Sequence, residues 1–126
     1  MPAYFNNTIY VGGAGDYLKA LYINNGHIDF QSSQSPNYYG YPGPTPSVSA
    51  NGTKNGIVWA IDSSPYSSGG SSILHAYDAT NLATELYNTA QAGARDDLGG
   101  ATKFTVPTIV NGKVYVASRT QLTVLG

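Results

Sequence analysis

Asn37-Tyr-Tyr-Gly-Tyr-Pro42 packs three tyrosines into one short segment bracketed by glycine and proline, and Tyr66 sits in a second stretch rich in Ser, Gly and Pro. Tyrosine offers a large amphipathic surface at low entropy cost, which suits carbohydrate or protein contacts. Tyr38, Tyr39, Tyr41 and Tyr66 are therefore the candidate ligand-binding residues. The competing reading is that these rings fill gaps between structural elements or cover a rim. Other chemistry has weaker seeds. Asp96-Asp97 beside Arg95 supplies two adjacent carboxylates, where calcium wants six to eight oxygens at alternating loop positions. A solvated turn, or a loop ion pair with Arg95, is the simpler reading. His75, between Leu74 and Ala76, reads as a packed or edge histidine, and His27 as a solvent-facing strand start, so the pair makes a poor transition-metal site. No metal site, catalytic group or cofactor is expected.

Composition removes further classes. The chain has no cysteine, which excludes disulfides and thiolate metal sites. There is no Gly-x-Ser-x-Gly, so nucleophilic catalysis lacks its usual elbow. Gly12-Gly-Ala-Gly15 lies between strands rather than before a helix, so it reads as a tight turn and not a phosphate cradle. Charged residues are only 10% of 126, against about 25% in ordinary domains, and the net charge is −1. Nucleic acid is thereby disfavoured as a partner, since no basic patch can neutralise phosphates. The apolar runs are about five residues long, too short to span a membrane as a helix. Abundant Tyr, Gly, Ser and Asn with few charges suggest an extracytoplasmic bacterial parent. The start at Met1-Pro2, with no basic or apolar leader, reads as an excised or engineered segment. Asn6-Asn7-Thr8 and Asn51-Gly52-Thr53 fit the glycosylation pattern but read better as turns.

What positions these residues is a repeated hairpin. Pro2 to Gly13, Pro46 to Ala60 and Pro107 to Ala117 each run proline, apolar stretch, Asn-Asn or Asn-Gly turn, apolar stretch. Asn111-Gly112 is the strongest such signal, because a type I′ turn needs two residues at positive φ. In the second copy Thr53-Lys54-Asn55 is expected to lengthen the loop. Third strands follow at 17–23, 73–77 and 121–125, and fourth strands at 27–30 and 84–87, a count of four, four and three. The segments 32–46, 63–72 and 90–102 read as ordered surface loops. No segment holds a helical period over ten residues. A unit repeated every 40–60 residues or so is the mark of an array.

The third and fourth strands carry a family likeness. Ala76-Tyr-Asp78-Ala-Thr-Asn81, with Leu86-Tyr87 beyond it, resembles the Ala-x-Asp-x-x-Thr-Gly-x-x-x-Trp repeat of pyrroloquinoline-quinone-type β-propellers, a repeat shared with outer-membrane assembly propellers. Ala20 to Phe30 is similar, with Tyr22 for Asp, Asn25 for Thr, Gly26 matching and Phe30 for Trp. The likeness covers nearly the whole chain and most resembles the C-terminal end of longer bacterial propeller proteins. It implies an all-β fold of four-stranded antiparallel blades, about three per chain: residues 2–31, 46–88 and 104–126, the last lacking its fourth strand. It also implies that Phe30 and Tyr87 partly replace the tryptophan between blades. Quinoprotein dehydrogenases of this kind use a calcium site and a tryptophan platform. Here the one tryptophan, Trp59, reads as core, and there is no vicinal cysteine pair.

Three blades do not close a ring, since propellers have about four or more. Two apolar blade faces would stay uncovered. Cyclic self-association is the simplest remedy, because one interface serves every junction. A homo-oligomer is expected, a six-bladed dimer first. The expected function is a non-enzymatic scaffold or binding module, with carbohydrate or protein held at the channel mouth or on the tyrosine loops. The alternatives are a degenerate fragment of a quinone-dependent dehydrogenase, or a segment made to test how propellers assemble from partial rings.

Overall fold

A computed structural model describes all residues, 1–126. The chain folds into eleven strands in three antiparallel sheets. Sheet 1 is β1 (Ala3–Phe5), β2 (Thr8–Gly12), β3 (Asp16–Asn24) and β4 (His27–Tyr39). Sheet 2 is β5 (Ser47–Asn51), β6 (Lys54–Asp62), β7 (Ile73–Asp78) and β8 (Asn81–Asn88). Sheet 3 is β9 (Thr108–Val110), β10 (Lys113–Ala117) and β11 (Leu122–Leu125). Each is a simple meander in chain order, and the predicted count of four, four and three strands is the one found.

Turn chemistry sets the registers. Asn6 and Asn7 have φ of 45° and 57°, and Asn111 and Gly112 have 52° and 71°, the two left-handed residues a type I′ turn requires. At the β7–β8 corner the Asp78 carboxylate accepts from the Thr80 backbone N–H (2.8 Å) and hydroxyl (2.7 Å). An aspartate that accepts from its own backbone two residues on fixes the reversal between β7 and β8.

Strand alternation makes sheet 2 a two-faced middle layer. Val58 and Ala60 point toward sheet 1 and pack with Tyr10, Leu18, Ala20, Tyr39, Tyr77, Ala79 and Leu82. Ile61 and Leu74 point toward sheet 3 and pack with Leu98, Val114 and Val116. At Gly56 the first two sheets approach closely. A Cβ there would lie 2.5 Å from the Phe5 ring and 2.8 Å from the Ala79 Cβ, so the site admits no side chain.

Four expectations are corrected. The β5–β6 loop is not lengthened. Asn51 pairs with Lys54, and the extra residue becomes a bulge with Asn55 at φ 54°. Sheet 1 does not end near residue 31, because β4 runs on to Tyr39 through half of the expected 32–46 loop. Pro36 is tolerated because β4 is a sheet edge. Where the ladder slips between Tyr17 and Lys19, the Leu18 N–H donates to the Ser35 hydroxyl instead (3.1 Å). Trp59 is only half-buried, its indole N–H donating to the Ser49 hydroxyl at 2.8 Å. Phe30 does not fill a gap between sheets: it is 52% exposed and leans on Tyr22.

The outermost faces carry apolar side chains. On sheet 1, Tyr4, Ile9 and Leu21 form one cross-strand rung, and Ile23 opposite Ile28 another; Tyr4 is 63% and Ile28 61% exposed. On sheet 3, Val110, Leu122 and Val124 are likewise exposed.

Candidate functional site

At one end of the array the β6–β7 and β10–β11 loops meet the links between sheets. The backbone ties them together: Ser72 N–H to Gly99 O (3.2 Å), Ala101 N–H to Gly70 O (2.8 Å) and Arg119 N–H to Gly100 O (3.1 Å). On this frame Tyr41, Tyr66 and Phe104 come together. Tyr41 lies edge-on to Tyr66 at 5.9 Å between centroids and to Phe104 at 6.3 Å.

Each ring has a local cause for its position. Tyr41 is carried by the turn that follows β4, closed by Gly43 N–H to Gly40 O at 2.8 Å. Gly43 has φ 81°, and a Cβ on it would strike the Gly13 backbone, so only glycine fits. Tyr66 rides a 3-10 turn over Ser64–Ser67 that opens with Pro65. The Asp62 carboxylate anchors that turn by accepting from the Ser64 N–H (2.9 Å) and hydroxyl (2.6 Å). Phe104 has φ 63°, uncommon for a bulky side chain and costing of order 1–3 kcal/mol. Its ring is 67% exposed, so burial does not repay that strain.

Tyr66, Ala101, Thr102, Lys103, Phe104 and Arg119 line a hollow of about 400 Å³ beside these rings. The Lys103 ammonium stands 5.0 Å over the Tyr66 ring, and an Arg119 NH2 donates to the Tyr66 carbonyl at 2.7 Å. No carboxylate lines the hollow. The Thr102 hydroxyl is buried without a hydrogen-bond partner.

The predicted tyrosines divide. Tyr41 and Tyr66 meet at this site. Tyr38 lies elsewhere, 57% exposed, with its ring edge-on to Tyr17 at 5.7 Å. Tyr39 is a core residue, 1% exposed, because it ends a strand whose alternate face packs on sheet 2. Its hydroxyl meets that of Tyr77 at 2.7 Å, and burial drives it well above the ordinary phenol range. Phe104, Lys103 and Arg119 were missed: nothing about Lys103-Phe104 in sequence marks a left-handed phenylalanine.

Two other polar clusters exist. His75, buried and stacked on Tyr77, has Nδ1 2.5 Å from the Glu85 carboxylate, with Asn37 beside both His75 and Tyr77. The second lies between sheets 2 and 3, where Trp59, Tyr87, Val114, Leu125 and the Arg95–Asp96 pair line a cavity of about 460 Å³. Arg95 grips Asp96 with Nε and NH2, both at 2.8 Å, and the Tyr87 hydroxyl also donates to it. Of the two simpler readings of this stretch, the ion pair with Arg95 is the one found. His27 is exposed, and no group of three or more His, Asp and Glu side chains is placed to hold a metal ion.

These contacts set an acid limit. Hydrogen bonds from Arg95 and Tyr87 hold the Asp96 carboxyl at about 2. Thr80 holds Asp78 low, and the Gly99 N–H holds Asp97 low. Burial alone would raise Glu85, but hydrogen bonds from His75, Asn37 and Asn88 hold it below its usual value. All four are carboxylates depressed on folding, so their stabilisation is full above the unfolded value near 4 and fades as pH falls through the folded values. The melting temperature is expected to be flat from pH 7 to 5 and to drop steeply between about pH 4 and 2. A flat profile down to pH 2 by circular dichroism would refute these depressions.

Comparison of the chain with family models, with curated proteins and with solved structures finds no match.

Proposed function

We propose that this chain is a non-enzymatic scaffold of propeller-type blades that associates with itself and binds carbohydrate at the Tyr41–Tyr66–Phe104 end. The observation that carries the reading is the convergence of three rings from three separate chain segments beside one hollow. Tyr41 and Phe104 are more than half exposed, and a phenylalanine is held there against its backbone preference. A packing role would favour buried, relaxed aromatics. Exposed strain at a concave surface is the pattern of ligand clamps. Rings at varied tilt offer the apolar faces of a sugar ring somewhere to lie, while phenol hydroxyls reach its polar rim.

The propeller reading is supported by the repeated four-stranded meanders and by a middle sheet apolar on both faces. Self-association is supported by apolar rungs on the two outermost faces. The test of binding is titration of neutral and acidic oligosaccharides into the wild-type chain and the Tyr41→Ala and Tyr66→Ala variants. Each variant is expected to weaken binding about tenfold: Tyr41→Ala from the loss of a stacking partner worth roughly 1–1.5 kcal/mol, and Tyr66→Ala from the loss of the ring that Tyr41 leans on and Lys103 sits over. Binding that neither variant alters would remove the aromatic end as the site.

A further inference from the structure

We infer that the hollow beside Tyr66 takes the carboxylate of an acidic sugar, with the sugar ring lying on Tyr41 and Phe104. This rests on the carbohydrate reading above and narrows it to uronic-acid-type saccharides. Positive charge is scarce in this chain. The chain holds six cationic side chains of Lys and Arg, and two of them, Lys103 and Arg119, line this one hollow. Neither has a carboxylate partner, as is also true of Lys54 and Lys113, whereas Lys19 is paired with Asp16 and Arg95 with Asp96; only Lys103 and Arg119 share one concave site. Placing two positive charges together costs energy unless an anion joins them.

The geometry favours a planar anion. Arg119 gives one NH2 hydrogen to the Tyr66 carbonyl, which fixes the guanidinium while leaving further donors free. A fixed guanidinium fork matches a carboxylate bidentately, and the ordering cost is met before the ligand arrives. Lys103, held over the Tyr66 ring, contributes a point charge from a second segment. Phe104 follows Lys103 directly, so its left-handed backbone places an apolar surface next to the cation. A hollow of about 400 Å³ is at the small end of ligand pockets and suits one or two sugar units.

The experiment is isothermal titration of digalacturonate, galactobiose and a sulfated galactobiose into the full chain at 20 mM and 300 mM salt. Digalacturonate is expected to bind at least tenfold tighter than galactobiose at low salt, with most of that preference lost at high salt. Arg119→Ala should erase the preference, Arg119→Lys should keep only the part that charge without the fork supplies, and Lys103→Gln should reduce it severalfold. Thermal melts check that these exposed-site variants remain folded. Equal, salt-independent binding of acidic and neutral disaccharides overturns the inference and leaves the carbohydrate reading standing. Tighter binding of the sulfated sugar overturns the choice of a planar carboxylate. Binding of none of the three overturns both readings.

Discussion

Tyr77→Ala is expected to lower stability by about 3–5 kcal/mol, the cost of deleting a fully buried large aromatic. For a domain of this size the total is about 5–15 kcal/mol, so the variant sits close to unfolding at room temperature. Tyr77 is 0% exposed and stands where sheets 1 and 2 meet. Its ring stacks on His75 at 5.9 Å, and its hydroxyl receives Asn37 Nδ2 at 3.0 Å and meets the Tyr39 hydroxyl at 2.7 Å. Burial pushes its phenol up to about 12, so it stays neutral across the working range. Tyr77→Phe separates the two contributions. It keeps the ring but leaves the Tyr39 hydroxyl and the Asn37 amide short of a buried partner, at about 1–3 kcal/mol. On thermal melts the expected order is wild type, then Tyr77→Phe, then Tyr77→Ala, with falls of several degrees and of 10 °C or more. A Tyr77→Phe melt equal to wild type would mean that the hydroxyl cluster between the sheets contributes nothing.

That same junction marks how far the chain could be read from its residues. Strand count and hairpin turns were legible because they rest on local chemistry. Asn6-Asn7 and Asn111-Gly112 have few conformations open to them, and alternation on either side names the strands. The second half of β4 was not legible. Ser32 to Tyr39 holds proline, serines and no hydrophobic alternation, and it is a strand because it pairs with β3 (Ser33 with Ala20, Tyr38 with Tyr17, Tyr39 with Asp16), while the Ser33 hydroxyl accepts from the Leu82 N–H of sheet 2 and the Ser35 hydroxyl from the Leu18 N–H where the ladder slips. Such bonding depends on a neighbouring strand or sheet, which no local pattern encodes. The same cause separates Tyr39 from the binding end: it stands in a stretch that reads as loop, and the pairing of β4 makes it core.

The binding end was half legible for a similar reason. Composition marks tyrosines in turn-rich stretches, and Tyr41 and Tyr66 do meet. Their partners come from segments 37 and more residues away, joined through backbone bonds such as Ala101 N–H to Gly70 O. Phe104 owes its place to a left-handed backbone that its own side chain disfavours. A residue whose position opposes its propensity is the kind of feature that sequence reasoning is bound to miss, and it is also where function is best sought.

Tyr4→Glu combined with Ile28→Glu is expected to turn an associating chain into a monomer. The two side chains belong to the outer face of sheet 1, on neighbouring rungs with Ile9, Leu21 and Ile23. In the free chain both are more than 60% exposed, so the fold loses only about 1 kcal/mol, chiefly the bond that the Tyr4 hydroxyl accepts from the Asn7 N–H (3.2 Å) at the β1–β2 turn. In an assembly that covers this face each carboxylate would be stripped of water among apolar side chains without a cation to meet it. That penalty is several kcal/mol per group, equivalent to a 10²- to 10³-fold loss of association from even about 3–4 kcal/mol. The split between a retained fold and a lost interface is what makes the variant informative. Light scattering behind a sizing column is expected to give a multiple of 13.3 kDa for the wild type and 13.3 kDa for the variant, whose melt at dilute concentration stays cooperative and falls by only several degrees. A wild type that is monomeric at every concentration would refute self-association outright. A variant that keeps the wild-type mass would place the contact on another surface, with the Val110–Leu122–Val124 face of sheet 3 the next to receive a charge.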